Sequence, residues 1–161
     1  GSRRSPGSAN TCPGSYRPMQ SAPLVAAVAT AHREVAERLA AVGAAEAEDR
    51  PRRLATLVAT VHTTAKAEEA VLSPAFRQAM GDDAALVETL EAEHQEVGDR
   101  LDAMLRHPTA EGFANAVEAL ARDLRDHQAD EVDAMLPLLA EALGEDEAGA
   151  LATQFREALD P

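Results

Sequence analysis

Metal-binding side chains interrupt several apolar stripes of this sequence. His32 lies between Val28 and Val35, at spacings of four and three residues, so in a helix it shares their apolar face. The same pattern recurs in three further segments. Because burying an unpaired carboxylate is costly, convergence of such residues around a shared cation is favoured. The residues that this pattern places on inward faces are His32, Glu68, His94, His127 and Glu131.

The donor types indicate which cations these residues would bind. His127 and Glu131 are four residues apart, which separates them by about 40° around a helix axis, so both can reach one centre. Imidazole together with carboxylate suits iron, manganese or zinc. Paired carboxylates between the helices of a bundle are typical of sites that hold two iron or manganese ions. The sequence therefore predicts a dinuclear metal centre.

Each signal has a simpler explanation when it is taken alone. A single histidine on an apolar face is more often a hydrogen-bonded core residue than a ligand. A single HxxxE pair is also explained by an ordinary contact between residues four apart on a helix surface. The metal interpretation rests on recurrence, because all four long segments carry an inward residue of a ligand type.

Apolar periodicity predicts the helices that would position these residues. Pro74 is expected to kink or end the second segment, and Pro137 lies near the end of the fourth. Long segments joined by short loops favour antiparallel neighbours, and no strand-like alternation occurs. We predict an all-α fold, an up-down-up-down four-helix bundle with a short C-terminal fifth helix. The five segments span about residues 22–42, 51–81, 83–106, 110–143 and 146–159.

Composition excludes several classes of partner. The 15 basic and 28 acidic residues give a net charge of −13, which disfavours binding to nucleic acid and to anionic membrane surfaces. Cys12 is the one cysteine, so no internal disulfide is possible, and no secretory signal is recognised. We expect a cytoplasmic protein. Residues 1–20 are expected to form a flexible tail, derived in part from a tag, and residues 21–161 to form one domain.

With these motifs, the sequence resembles the hemerythrin-like, HHE cation-binding family over about residues 24–143. The matching stretches are AHREV at His32, AEEAVLSP from Glu68 to Pro74, EHQEV at His94, and HQADEVDAMLP from His127 to Pro137. In both glutamate motifs a proline follows six residues after the glutamate. The resemblance implies a non-haem di-iron centre that reacts with oxygen, with Glu68 and Glu131 bridging the irons and histidines completing each iron.

Two positions depart from the family pattern. The resemblance implies a histidine four residues before Glu68, where this chain has Thr64. The nearby His62 is about 120° from Glu68 around an ideal helix, so we expect a surface histidine unless a helix bulge turns it inward. In the third segment Glu91 precedes His94 by three residues. This ExxH spacing is similar to ligand pairs of ferritin-like di-iron oxidases, and Glu91 is expected to be a ligand rather than a solvated acid.

The resulting hypothesis is a protein that binds and activates O2 at two non-haem irons, as an oxidase or oxygenase of a small organic molecule. Manganese or zinc are possible substitutes for iron, and the electron donor and oligomeric state stay open. Thr64 would mark an open position beside the substrate. The alternatives are a module that binds or senses O2, senses iron or stores metal without turnover, and a metal-free interaction protein. The expected metal ligands are His32, Glu68, Glu91, His94, His127 and Glu131, with His62 and Glu69 as secondary candidates.

Overall fold

The computed structural model describes residues 23–81 and 84–160, and within these ranges the chain is helical without strands. The expected tail of residues 1–20 lies outside the described residues. None of the described helices is long and apolar enough to cross a membrane. The helices are α1 (Pro23–Gly43), α2 (Arg50–Ala67), α3 (Ser73–Met80), α4 (Ala84–Arg106), α5 (Phe113–Gln128), α6 (Leu136–Leu143) and α7 (Glu145–Leu159).

Two π-helical segments join pairs of these helices into longer rods. The first π segment (Glu68–Leu72) connects α2 to α3, and the second π segment (Ala129–Met135) connects α5 to α6. These two joined pairs and the two unbroken helices, α1 and α4, are the four rods of the bundle. They pack in a ring: α1 contacts α2 and α5, and α4 contacts the same two helices. This confirms the predicted four-helix bundle. The predicted fifth helix is α7, which packs on α1, α6 and the first π segment.

The two prolines explain where the π segments lie. Pro74 is the second residue of α3, and Pro137 is the second residue of α6. A proline inside an α-helix lacks an N–H donor, and its ring clashes with the carbonyl four residues earlier. A π turn moves that carbonyl away, and the backbone N–H of Ser73 instead donates to the carbonyl of Glu68 five residues back. The backbone N–H of Leu136 donates to the carbonyl of Glu131 in the same way, so both helices continue through their prolines.

The apolar core has two parts. The first part, which we call the closed half, is the cluster around Phe76, Leu136 and Phe155, and α7 covers it. The second part, the open half, is the cluster around Leu54, Leu101 and Leu120 at the other end of the bundle. Polar residues are buried between the two halves. On α1, for example, Ala31 belongs to the closed half, Val35 belongs to the open half, and His32 lies between them.

Candidate metal centre

Three histidines and two glutamates from the four rods meet between the two halves. His32 comes from α1, Glu68 from the first π segment, His94 from α4, His127 from α5 and Glu131 from the second π segment. One donor atom from each of four of them lies within 4.8 Å of the others; these four are His32, Glu68, His127 and Glu131. The Nε2 atom of His94 lies 3.3 Å from the Nε2 atom of His127 and so joins the same cluster.

The Glu68 carboxylate spans the cluster. Its Oε1 atom lies 2.7 Å from Nε2 of His32, and its Oε2 atom lies 2.8 Å from Nε2 of His94. The Oε2 atom of Glu131 lies 3.2 Å from Nε2 of His32 and 3.6 Å from Nε2 of His127. Each glutamate therefore stands between His32 on one side and a histidine of the α4–α5 pair on the other.

Burial makes the charges of this cluster interdependent. His32, Glu68 and Glu131 are 6%, 3% and 1% exposed. Burial alone would lower the pKa of His32, but the carboxylates of Glu131 and Glu68 outweigh it and raise that pKa well above 6.5. Burial alone would raise the pKa of Glu68, but His32 and His94 outweigh it and hold the pKa below its usual range. Contact with Glu68 likewise raises the pKa of His94 against its burial.

Several buried donor and acceptor atoms of the cluster lack hydrogen-bond partners within the part of the chain that the structure describes. These atoms are Nδ1 of His32, Nδ1 of His94 and Oε2 of Glu131. The Glu131 oxygen is close to His32, but the contact lies outside hydrogen-bond geometry. Unpaired acceptors are rare in protein interiors, and a buried carboxylate oxygen with a free lone pair is suited to a cation. Three imidazoles and two carboxylates form a donor set that fits iron, manganese or zinc.

Two of the sequence candidates lie outside the cluster. The Glu91 carboxylate accepts a hydrogen bond from Nη2 of Arg77 at 2.9 Å, so α3 holds it away from the histidines. The ring of His62 is exposed, and its Nε2 atom lies 3.8 Å from a carboxylate oxygen of Asp102. The helix stays regular through His62, since the π segment begins only at Glu68. The π bulge at Glu68 therefore begins beyond His62 and does not turn this side chain inward.

Thr64 and Glu69 border the cluster without entering it. Thr64 is buried, but its hydroxyl donates to the carbonyl of Thr60 at 2.9 Å, as serine and threonine often do in helices. The hydroxyl hydrogen is thereby used within the helix. Glu69 is exposed, and its Oε1 atom lies 3.7 Å from Nδ1 of His94, on the side of the ring remote from Glu68.

Glu93 is a site residue that the sequence reasoning missed. Its Oε2 atom lies 2.7 Å from Nδ1 of His127, so the carboxylate accepts the Nδ1–H and leaves the Nε2 lone pair facing Glu131 and His94. Carboxylates that orient a ligating histidine in this way fix its tautomer. The available signal was spacing: Glu93, Val97 and Arg100 follow at four and three residues and line one face of α4.

A cavity of about 360 Å³ lies beside the cluster, on the side of the open half. Its floor includes His32, Glu68, His94 and His127, and Thr64 forms part of the wall. The larger side chain that the family pattern has at this position would reduce the space. Exposed residues such as Glu96 and Asp126 also line the cavity, so it reaches the protein surface and a small molecule can approach the histidines without unfolding the bundle.

A four-helix bundle with buried histidines and glutamates contributed by all four rods defines a helical metal-binding domain. Comparison with protein families identifies which one: the hemerythrin HHE cation-binding domain matches residues 24–139, a range that includes all five cluster residues. The chain belongs to this family, as its motifs indicated. A search of curated proteins and a search of solved structures returned no match.

Proposed function

We propose that this protein holds two non-haem iron ions, binds and activates O2 there, and oxidises a small organic molecule. The observation that carries the proposal is the placement of Glu68, whose two oxygens face histidines on opposite sides of the cluster. A carboxylate in this position can serve two ions at once. His32 would hold one ion, His94 and His127 would hold the other, and Glu68 and Glu131 would bind both.

Iron bound in this way would supply the electrons for the reduction of O2 and a place for O2 to bind. The donor set favours oxidation of a substrate over reversible binding of O2. Two of the five donors are anionic carboxylates, and anionic donors stabilise the higher oxidation states of iron. Glu68 and Glu131 are only 3% and 1% exposed, and this burial strengthens the electrostatic contribution of each carboxylate.

Thr64 supports a substrate on the His32 side. Thr64 offers no imidazole nitrogen where the family pattern has a histidine, and its hydroxyl hydrogen is donated to the backbone carbonyl of Thr60. The His32 side then has fewer protein donors than the side of His94 and His127. Because Thr64 and His32 both line the cavity, an organic molecule in the cavity can reach the side with fewer donors. Catalytic metal sites keep such open positions, whereas structural sites close them.

The test is anaerobic loading of the full chain with ferrous iron, followed by metal analysis, Mössbauer spectroscopy and measurement of O2 consumption. We expect about two irons per chain, a spectrum of paired irons, and O2 uptake that continues when a reductant is supplied. His127→Ala should lower the metal content, whereas His62→Ala, a matched control in the exposed position, should not. A single iron per chain would contradict the dinuclear assignment. Stoichiometric, reversible O2 uptake would instead identify a binding or sensing module.

A further inference from the structure

The walls of the cavity beside the cluster are aliphatic. Four side chains from four helices form them: Val35, Val61, Val97 and Leu124. No phenylalanine, tyrosine or tryptophan is among the residues that line this cavity, and the rings in its lining are the imidazoles of the floor. A volume of about 360 Å³ falls in the range of roughly 300–1,000 Å³ that is usual for small-molecule sites. The cavity therefore suits a flexible aliphatic group of a few carbons rather than a planar ring system.

The mouth of the cavity is acidic. The exposed residues Glu96, Asp126 and Asp130 line it, and none of the three has an ion-pair partner among the described residues. Arg100 is the one lysine or arginine in the lining, and it is paired with Asp123. The positive charge at the mouth is thus already neutralised, and an excess of negative charge remains.

This distribution of charge selects between possible ligands. A carboxylate at the mouth would meet the unpaired acids, and the one arginine of the lining, Arg100, is already paired with Asp123. An ammonium group at the mouth would be attracted, while its alkyl chain would pack on the aliphatic walls toward the cluster. A path for metal ions alone would need neither the aliphatic walls nor this volume. The floor also holds buried His32, whose Nδ1 atom has no hydrogen-bond partner within the described ranges.

We propose that this cavity is the substrate site and that it takes a small aliphatic amine in its protonated form. The assignment of the cavity as a substrate site rests on the proposed function, whereas the preference for a cationic amine rests on the cavity alone. The amine lies with its alkyl end toward Thr64 and its ammonium group between Glu96 and Asp126, at the solvent edge. Anionic molecules of the same size are excluded.

The test uses the full chain loaded with zinc, which cannot reduce O2, so that binding is measured without turnover. Calorimetric titrations with pentylammonium, pentan-1-ol and pentanoate compare one chain length with three charges. We expect pentylammonium to bind about tenfold or more tightly than pentanol, and pentanoate to give no binding. Pentyltrimethylammonium, which has no lone pair for zinc, should keep the preference. High salt should weaken it.

Variants test the location of the site. Glu96→Gln combined with Asp126→Asn should bring the affinities of the ammonium ion and the alcohol close together. The control combines Glu118→Gln with Glu141→Gln, which removes the same charge from exposed positions outside the cavity, and should retain the preference. Ala65→Leu should fill the cavity and abolish binding of both ligands while zinc stays bound.

Equal affinities for the ammonium ion and the alcohol, or tighter binding of pentanoate, would overturn the amine proposal. So would the same loss in the control variant as in the mouth variant. The proposed function fails in a different way: iron-loaded protein would consume no O2 even though the ammonium preference held. The two failures are therefore separated by the metal used and by the quantity measured.

Discussion

The closed and open halves of the bundle are built from the same four rods but differ in how far solvent reaches their apolar residues. In the closed half, Phe76, Leu136 and Phe155 are fully buried, and α7 lies over them. In the open half, Val97 and Leu124 are only partly buried and border the cavity. The metal-binding residues lie at the junction. One half provides a rigid support for the glutamates, and the other gives a ligand access to the histidines.

The largest expected effect is on stability, and it should differ between the halves. Phe155→Ala leaves a void under α7 and should lower the free energy of unfolding by about 3–5 kcal/mol. Val97→Ala enlarges a space that solvent already reaches and should cost only about 1 kcal/mol. Urea denaturation followed by circular dichroism measures both. Equal losses would show that the open half is packed as tightly as the closed half.

Metal should stabilise the junction between the halves. Anaerobic iron binds only the folded arrangement, so free metal at 100 times Kd should raise the free energy of unfolding by about 2.7 kcal/mol. Glu131→Gln removes one of the two anionic donors and should reduce this increment. The measurement is the melting temperature with and without iron. If native protein melts at the same temperature in both states, the five residues form a metal-free polar core instead.

The histidine protons at the junction should compete with metal. Without metal, His32 stays protonated at neutral pH, because Glu131 and Glu68 outweigh its burial and raise the pKa of its ring to about 10. Contact with Glu68 raises the pKa of His94 in the same direction. Since metal requires the neutral rings, lowering the pH should weaken binding, by about tenfold per pH unit for each proton displaced. Raising the pH through the pKa of these rings should remove the dependence. Titrations with zinc at several pH values check this, and pH-independent affinity would contradict it.

Glu93 should contribute to metal affinity indirectly, by orienting His127. Glu93→Gln weakens the acceptor for Nδ1–H of His127 and should reduce zinc affinity about 10- to 100-fold. Glu91→Gln, the matched change two residues away, should leave affinity unchanged because Glu91 contacts Arg77. Nitrogen NMR shifts of His127 should show a mixed tautomer only in the first variant. The opposite ranking would return Glu91 to the ligand set expected from sequence.

The helices and the five clustered residues could be predicted because both follow local periodicity. Stripes of apolar residues determine which face of each helix is buried, and His32 or His94 simply occupies a position in such a stripe. The two prolines indicated a local disturbance, although the chain accommodates Pro74 by a π turn rather than by ending the helix. In both rods the proline follows the glutamate by six residues, and this shared spacing marked where the disturbance lies.

The choice between Glu91 and Glu93 could not be predicted in this way. Both acids lie within three residues of His94, and the ExxH spacing pointed to Glu91. Partners on other helices decide the outcome, since Arg77 on α3 holds Glu91 and His127 on α5 holds Glu93. The cavity could not be predicted from the sequence either, because it depends on how side chains from four helices leave space between them.

The unequal number of histidines on the two sides of Glu68 has a consequence for the order of assembly. His94 and His127 face each other from neighbouring helices, whereas His32 stands alone on α1. A first ion should therefore bind at the histidine pair, and a second ion should then bind beside His32 with lower affinity. Chelators should strip the ions in the reverse sequence. A half-loaded species would then accumulate at intermediate metal supply, and a titration curve with two distinct steps would reveal it.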